Sequence, residues 1–321
     1  MKKIILFLLL SAVFALSLQA RAAGEVSATE NVTVHLVVPN GATLVPIALL
    51  DKDSIFDGFT VNLEIIKSSD LLAAKLISGE TDFAVIPSNL AAIMANKGVG
   101  FRLAGPVIWG LSYVVSSENL NGWDDLRGRK VSMIGRGLTP DITFRHLLRE
   151  NGLDPDKDLE IVYASSAAEL VPTFLTGRST ISMMPEPMLT TVLAKKPDTR
   201  IFVDIQKEWS KLYGASYPQA SLVVSGDFAD KHPDFTEAFI TAFSASVEAA
   251  LENPAEAGSA VSSLVPELNA GIIAEAIPRM NLDFMRAIDA RGTLEDYYRV
   301  LEAFNPATIG GKLPTDDFYL R

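Results

Sequence analysis

Glu186 stands between Pro185 and Pro187. Two prolines restrict the backbone around it and aim the side chain. A carboxylate aimed this way suits a ligand with amine or amidine donors. The opposite chemistry sits in Gly135-Arg136-Gly137-Leu138-Thr139-Pro140-Asp141. Arg136 there is suited to a sulfonate or carboxylate. Thr139 reads as a helix N-cap, Pro140 as the first helical position and Asp141 as a first-turn acid, and a helix start of this kind can hold an anion. Pro39-Asn40-Gly41-Ala42-Thr43 is a glycine turn that lets a ligand approach the backbone, followed by the free N–H groups of a helix start. Ser88 and Asn89 follow Pro87 and can cap a helix or donate to a ligand. Trp109 and Tyr217 offer flat rings for stacking or for covering an apolar chain. The candidate ligand contacts are therefore Asn40, Gly41, Ala42, Ser88, Asn89, Trp109, Arg136, Gly137, Leu138, Thr139, Glu186 and Tyr217. Each also has a plainer role. Glu186 can be a first-turn helix acid, Arg136 a solvated surface residue, and the two aromatics lobe core.

Other chemistry is excluded by what is missing. The 321 residues contain no cysteine, hence no disulfide, thiolate site or lipid-bearing amino-terminal cysteine. His35, His146 and His232 are far apart and lack metal-ligand spacing. His35 falls inside a strand and reads as packed, and His146 is expected on the outer face of its helix. Ser88 has no glycine-x-serine-x-glycine context, the Walker lysine pattern is absent, and no carboxylates pair in a motif. Neither a catalytic group nor a cofactor is implied. Lys and Arg number 28 against 39 Asp and Glu, a net charge of −11, which argues against nucleic acid as a partner.

Positioning these residues takes a chain of about two domains at this length. Lys2 and Lys3, the apolar run Ile4 to Leu18 and Ala20-Arg21-Ala22 predict a signal peptide over 1–22, cleaved after Ala22. The run is shorter than the ~20 residues a bilayer span needs. Beyond it strands and helices alternate. Strands are expected at 32–38, 60–66, 83–86, 130–134, 160–163, 181–184, 200–204 and 221–224, and an extended stretch at 101–115. Helical patterns lie between them, among them 44–50, 70–77 and 140–150, and the chain from Pro233 onward is almost wholly helical, including 270–286. Alternation of this kind predicts parallel sheets flanked by helices. An internal repeat organises the middle. Ser68, Leu72, Gly79 and Pro87 match Ser166, Leu170, Gly177 and Pro185 without a gap, 98 residues later. Val34-His35-Leu36-Val37…Gly41 resembles Val131-Ser132-Met133-Ile134…Gly137 at nearly the same offset. Two similar lobes would each put a loop at the carboxyl end of a buried strand, facing one cleft.

A leader, two α/β lobes, β-rich crossovers at Trp109 to Ser116 and Tyr217 to Ser225, and a helical tail together resemble the periplasmic solute-binding proteins of ABC importers. The subgroup resembled includes sulfonate, taurine, nitrate and thiamine-precursor binders. The motifs that carry the resemblance are Ser78-Gly79-Glu80-Thr81-Asp82-Phe83-Ala84, Gly135-Arg136-Gly137-Leu138-Thr139-Pro140, Met184-Pro185-Glu186-Pro187 and the tail Ile309-Gly310-Gly311-Lys312-Leu313-Pro314. The resemblance implies a type II periplasmic-binding-protein fold. Its discontinuous first lobe would span 31–112 and 217–321, and its second lobe 113–216. It also implies a monomer that passes a small ligand to an ABC transporter permease; in one departure, the lipid-bearing cysteine of many relatives is absent, which predicts a protein free in the periplasm and not a lipoprotein. A sulfonate, a taurine-like zwitterion and an aminopyrimidine all stay open as the ligand. The alternatives are an exported enzyme or pyrimidine-synthesis relative on the same fold, and a ligand-sensing partner of a membrane receptor.

Overall fold

The computed structural model describes residues 31–50, 58–67 and 69–321. The expected leader at 1–22 and Ser68 of the repeat lie outside the described residues. Among those described, no helix is long and apolar enough to cross a membrane.

Among the described residues, ten strands form two five-stranded sheets. The first contains β1 (Val32–Pro39), β2 (Phe59–Ile66), β3 (Phe83–Pro87), β4 (Phe101–Ile108) and, from far along the chain, β10 (Ala220–Ser225), in the order β2-β1-β3-β10-β4. The second contains β5 (Ser112–Ser116), β6 (Lys130–Met133), β7 (Glu160–Tyr163), β8 (Ile181–Pro185) and β9 (Arg200–Asp204), in the order β7-β6-β8-β5-β9. The two orders are the same pattern. In each sheet, one strand runs antiparallel between two neighbours: β10 between β3 and β4, and β5 between β8 and β9. The remaining pairs are parallel.

The repeat read from the sequence is structural. Helix α1 (Ser69–Ile77) precedes β3 as α4 (Ala167–Leu175) precedes β8. Both helices and both strands begin 98 residues apart (69 to 167, 83 to 181). The strands are apolar on both faces. Val34, Leu36 and Val38 of β1 join one core cluster while Val37 joins another, and β3 divides Phe83 and Val85 from Ala84 and Ile86 in the same way. That is the pattern of a parallel sheet with helices on both sides.

The other helices are α2 (Ser88–Asn96), α3 (Thr139–Glu150), α5 (Met188–Lys195), α6 (Ile205–Tyr213), α7 (Gly226–Lys231), α8 (Pro233–Glu252), α9 (Pro254–Leu264), α10 (Ala270–Ala276) and α11 (Ala287–Phe304). On α11, Leu294, Tyr297, Tyr298 and Leu301 fall at helical spacing and are fully buried. This face packs on β4 of the first sheet and α3 of the second lobe, so α11 ties the two halves together. The tail docks on α2, where the Asn96 amide donates to Ile309 O and Lys312 O.

Three expected elements differ. The stretch 101–115 is two strands in different sheets, broken at Trp109-Gly110-Leu111. Gly110 has φ +80°, and a side chain there would collide with Gln206 Cγ and meet Tyr217 at 2.9 Å. The expected helix 270–286 stops at Ala276. A 3-10 turn at Ile277–Arg279 follows, and then an irregular strap runs to α11. Pro278 interrupts the helix, and the strap binds β4 and its end instead: Trp109 N donates to Asn281 O, and Leu282 bridges Ile108. The expected helix 44–50 is a 3-10 turn at Ala42–Ile47.

His146 is not on an outer face. Its ring packs on Trp209 and shares a 2.8 Å hydrogen bond with Tyr213 of α6. Burial holds its pKa below the ordinary 6.5, the neighbouring Glu150 opposing and Arg149 adding to the effect. The unfolded chain then binds a proton that the folded chain resists. The contribution of His146 is therefore complete above pH 6.5 and shrinks as the pH falls below it. Urea midpoints measured on either side of pH 6.5 should fall with acidity, and His146→Gln should flatten that part of the slope. Equal slopes in the two proteins would remove His146 as the cause.

Candidate ligand-binding cleft

The carboxyl ends of β1 and β3 in one lobe, and in the other the carboxyl end of β8 and the start of α3, the helix after β6, face a shared cavity of about 520 Å³. Ligands of open α/β sheets bind at such ends. The first lobe supplies the turn Pro39 to Thr43, Leu72, Pro87, Asn89, Leu90 and Ile93, with Ile108, Leu111, Gln219 and Ala220 at the back. The second supplies Leu138, Thr139 and Pro140 at the start of α3, and Pro185 to Met188 after β8. A larger hollow, about 670 Å³, lies at the outer edge of the first lobe, beside the Arg102–Asp230 ion pair and the last residues of the chain, away from these strand ends.

Seven of the twelve sequence-derived residues meet here: Asn40, Gly41, Ala42, Asn89, Leu138, Thr139 and Glu186. Five do not line the cavity. Ser88 is fully buried, its hydroxyl 2.7 Å from Ser221 Oγ. Trp109 turns the other way, its indole N–H donating to Asp283 O at 2.7 Å. Tyr217 is fully buried against Trp209 and Tyr297. Arg136 lies over the Tyr163 ring, 5.2 Å from its centre. Gly137, at φ +69°, donates its N–H to Asp141 Oδ2.

The roles change as well. Thr139 is the first helical residue and caps nothing; Leu138 is the N-cap. The Thr139 hydroxyl accepts from Tyr297 Oη of α11 at 3.1 Å, across the two lobes. Asp141 is 2% exposed and its carboxylate accepts from three donors, Gly137 N, Arg145 Nε and Tyr163 Oη. A carboxylate already sits where an anion at this helix start would go.

Glu186 is the largest surprise. Its side chain is fully buried and meets a partner from the other lobe. Arg279 Nε donates to its Oε1 at 2.5 Å, and Arg279 Nη2 donates to the Thr190 hydroxyl. Thr190 in turn donates its N–H and its hydroxyl to the same carboxylate. The expected amine receptor is thus one half of a cross-lobe ion pair. Arg279 is positioned by the 3-10 turn whose Ile277 and the following Met280 are fully buried in the first-lobe core. Its carbonyl accepts from Tyr113 Oη at 2.7 Å. Burial, with Asp204 adding, pushes the Tyr113 hydroxyl up to about 12, so it remains a donor.

Sequence reasoning missed Arg279, Thr190, Leu90, Leu111 and Gln219. The pair Pro278-Arg279 was the one available signal, since a proline inside a helical pattern marks a place where the chain turns. The remaining polar capacity of the cavity is uncharged. The Asn40 side chain is exposed at its rim. Asn89 donates to Thr308 O at 3.3 Å and keeps its carbonyl, while Gln219 accepts from Leu111 N and keeps its NH2 group. Leu138, 58% exposed, presents an apolar side chain to the space.

Known proteins share this architecture. A family model described as NMT1/THI5 like matches residues 56–257. No curated protein matches the chain. The structure of an ABC transporter from Parabacteroides distasonis is similar at 27% identity, with a TM-score of 0.77, over 91% of this chain and 99% of that one. The periplasmic aliphatic sulphonate-binding protein SsuA from Escherichia coli is similar at 14% identity and a TM-score of 0.73, over 90% and 92%. The periplasmic nitrate-binding protein NrtA from Synechocystis is similar at 16% identity and a TM-score of 0.53, over 77% and 70%.

Proposed function

The chain belongs to the NMT1/THI5-like family, and on that premise we propose that it is an extracytoplasmic solute-binding protein. It has the type II periplasmic-binding-protein fold. In this reading the lobes, 31–112 with 217–321 and 113–216, close on one small organic molecule and deliver it to the permease of an ABC importer. The observation that carries the reading is the cavity at the carboxyl ends of both sheets, walled by both lobes. The names of the structural neighbours support it, and the signal-peptide pattern fits export to the periplasm; the absence of cysteine fits a protein without a lipid anchor. Closure requires that the ligand bind the closed form better than the open one.

The test is a thermal-shift screen followed by titration calorimetry. The panel holds sulfonates, nitrate, taurine, thiamine and its pyrimidine precursors, amino acids and uncharged ring compounds. A ligand at 100 times its Kd adds about 2.7 kcal/mol of stability. One molecule should bind per chain and be recovered chemically unchanged, and loss of the permease should abolish its uptake. Recovery of an altered molecule with turnover would replace this reading with an enzyme.

A further inference from the structure

Asparagine precedes glycine at three places: Asn40-Gly41, Asn121-Gly122 and Asn151-Gly152. In such a pair the glycine nitrogen can attack the asparagine side chain, because glycine has no Cβ to block the approach and bends freely into the ring that forms. We propose that Asn40-Gly41, in the wall of the cleft, rearranges spontaneously in the folded protein, so that an ageing molecule gains a carboxylate there. The site goes beyond the solute-binding reading and does not depend on it.

The chemistry needs only water. The Gly41 nitrogen gives up its proton and bonds to Asn40 Cγ, the Cγ–Nδ2 bond breaks, and ammonia leaves. Water then opens the cyclic imide at either carbonyl. One opening leaves aspartate. The other leaves isoaspartate, in which the chain runs through the former side chain.

The three pairs differ in whether their reacting groups are free. Asn40 is exposed, and among the described residues its side-chain amide has no hydrogen-bond partner. Its backbone N–H donates to Ile66 O at 2.8 Å, which anchors the turn without engaging the reacting atoms. The Gly41 N–H donates to no carbonyl among the described residues. Gly41 stands at φ +126° and ψ −143°, close to the region that only glycine reaches, with open space where a Cβ would point. Asn151-Gly152 is the opposite case. Asn151 Nδ2 donates to Leu147 O at 2.8 Å and Gly152 N donates to Arg149 O at 3.0 Å, so the electrophile and the nucleophile are both engaged. Asn121 is exposed with a free side-chain amide, but it lies outside the cavity lining.

Position gives the reaction its consequence. Asn40 and Gly41 both line the cavity. Among the described residues, its one carboxylate, Glu186, is paired with Arg279, and no lysine or arginine is part of the wall. A second carboxylate at position 40 therefore has no counter-charge in the wall.

The test incubates the intact purified protein in mildly alkaline buffer, which favours loss of the glycine proton. Peptide mass spectrometry follows the three pairs, and enzymatic methylation marks isoaspartate. In the folded protein position 40 should convert at least tenfold faster than position 151, with position 121 accompanying it. In urea the three rates should converge. Conversion at 40 no faster than at 151 in the folded protein would overturn the proposal. Asn40→Gln is the second test. The longer side chain closes its ring far more slowly, and no hydrogen bond among the described residues uses the amide it replaces. The variant should fold as before, lose the product at 40 and keep that at 121. Isoaspartate persisting in the peptide that spans position 40 would place the reaction at another residue and overturn the assignment.

Discussion

Trp209→Ala is expected to lower the stability of the protein by about 3–5 kcal/mol, the range for removing a buried large aromatic. The indole is 1% exposed and lies at the meeting point of four rings. Its centroid is 4.7 Å from Tyr213, 5.4 Å from His146, 5.4 Å from Tyr217 and 6.0 Å from Tyr297. Tyr213 and His146 belong to the second lobe, Tyr297 to the helix that ties the lobes, and Tyr217 to the returning crossover. Ring pairs of this kind add about 0.5–1.5 kcal/mol beyond their buried area. The alanine would leave a hollow that these partners, themselves packed by other elements, cannot fill by small movements. Thermal unfolding followed by circular dichroism should show a midpoint lower by on the order of 10 °C. Trp123→Ala, at a partly buried site against Phe144, should cost much less. Equal losses at the two sites would mean that the ring cluster contributes no more than ordinary packing.

Arg279→Ala is expected to cost about 3 kcal/mol, the lower end for breaking a buried ion pair. The lower end applies because Arg279 is 26% exposed on its side chain while Glu186 is 0% exposed. What hurts is less the lost attraction than the carboxylate left behind, facing Thr190 alone in a buried site. The discriminating measurement is rescue. Adding Glu186→Gln to Arg279→Ala removes the stranded charge and should restore most of the loss in urea unfolding. A double variant no more stable than the single one would mean that the guanidinium acts by packing. The same pair spans the lobes, so small-angle scattering should show the single variant more open on average than the wild type. An unchanged radius of gyration would limit the pair to a local role.

These two residues mark where the sequence stopped being legible. The lobes themselves were readable, because strand and helix periodicities repeat at one offset and the apolar positions recur with them. Ile181 lies 98 residues after Phe83, and both begin the central parallel strand of their sheets. The loops facing the cleft followed from that topology, and Asn40, Asn89, Thr139 and Glu186 all reached it. Which way a side chain turns did not follow. Trp109 and Tyr217 sit at the crossovers as expected, but each is held by partners on the far side from the cavity. The misread helix at 270–286 has a similar cause. Ile277, Met280, Leu282 and Phe284 keep an apolar rhythm through Pro278, and long-range pairing with Trp109 and Ile108 decides the backbone there. Glu186 and Arg279 are 93 residues apart. Local patterning carries no information about such a pair.

One topological detail governs how the molecule can be assembled. The second sheet draws all its strands from one stretch, Ser112 to Asp204, and has everything it needs once that stretch exists. The first sheet does not. β3 and β4 become neighbours only through β10, which comes after the whole second sheet in the chain. A chain released amino-terminus first must therefore finish its second half before its first half can close. Throughout that interval β3 and β4 have unsatisfied ladder edges, and such edges recruit other chains. A chain truncated before Ala220 should yield a folded second sheet attached to an aggregating first one, and a helper that shields strands during synthesis would act on residues 83–108 above all.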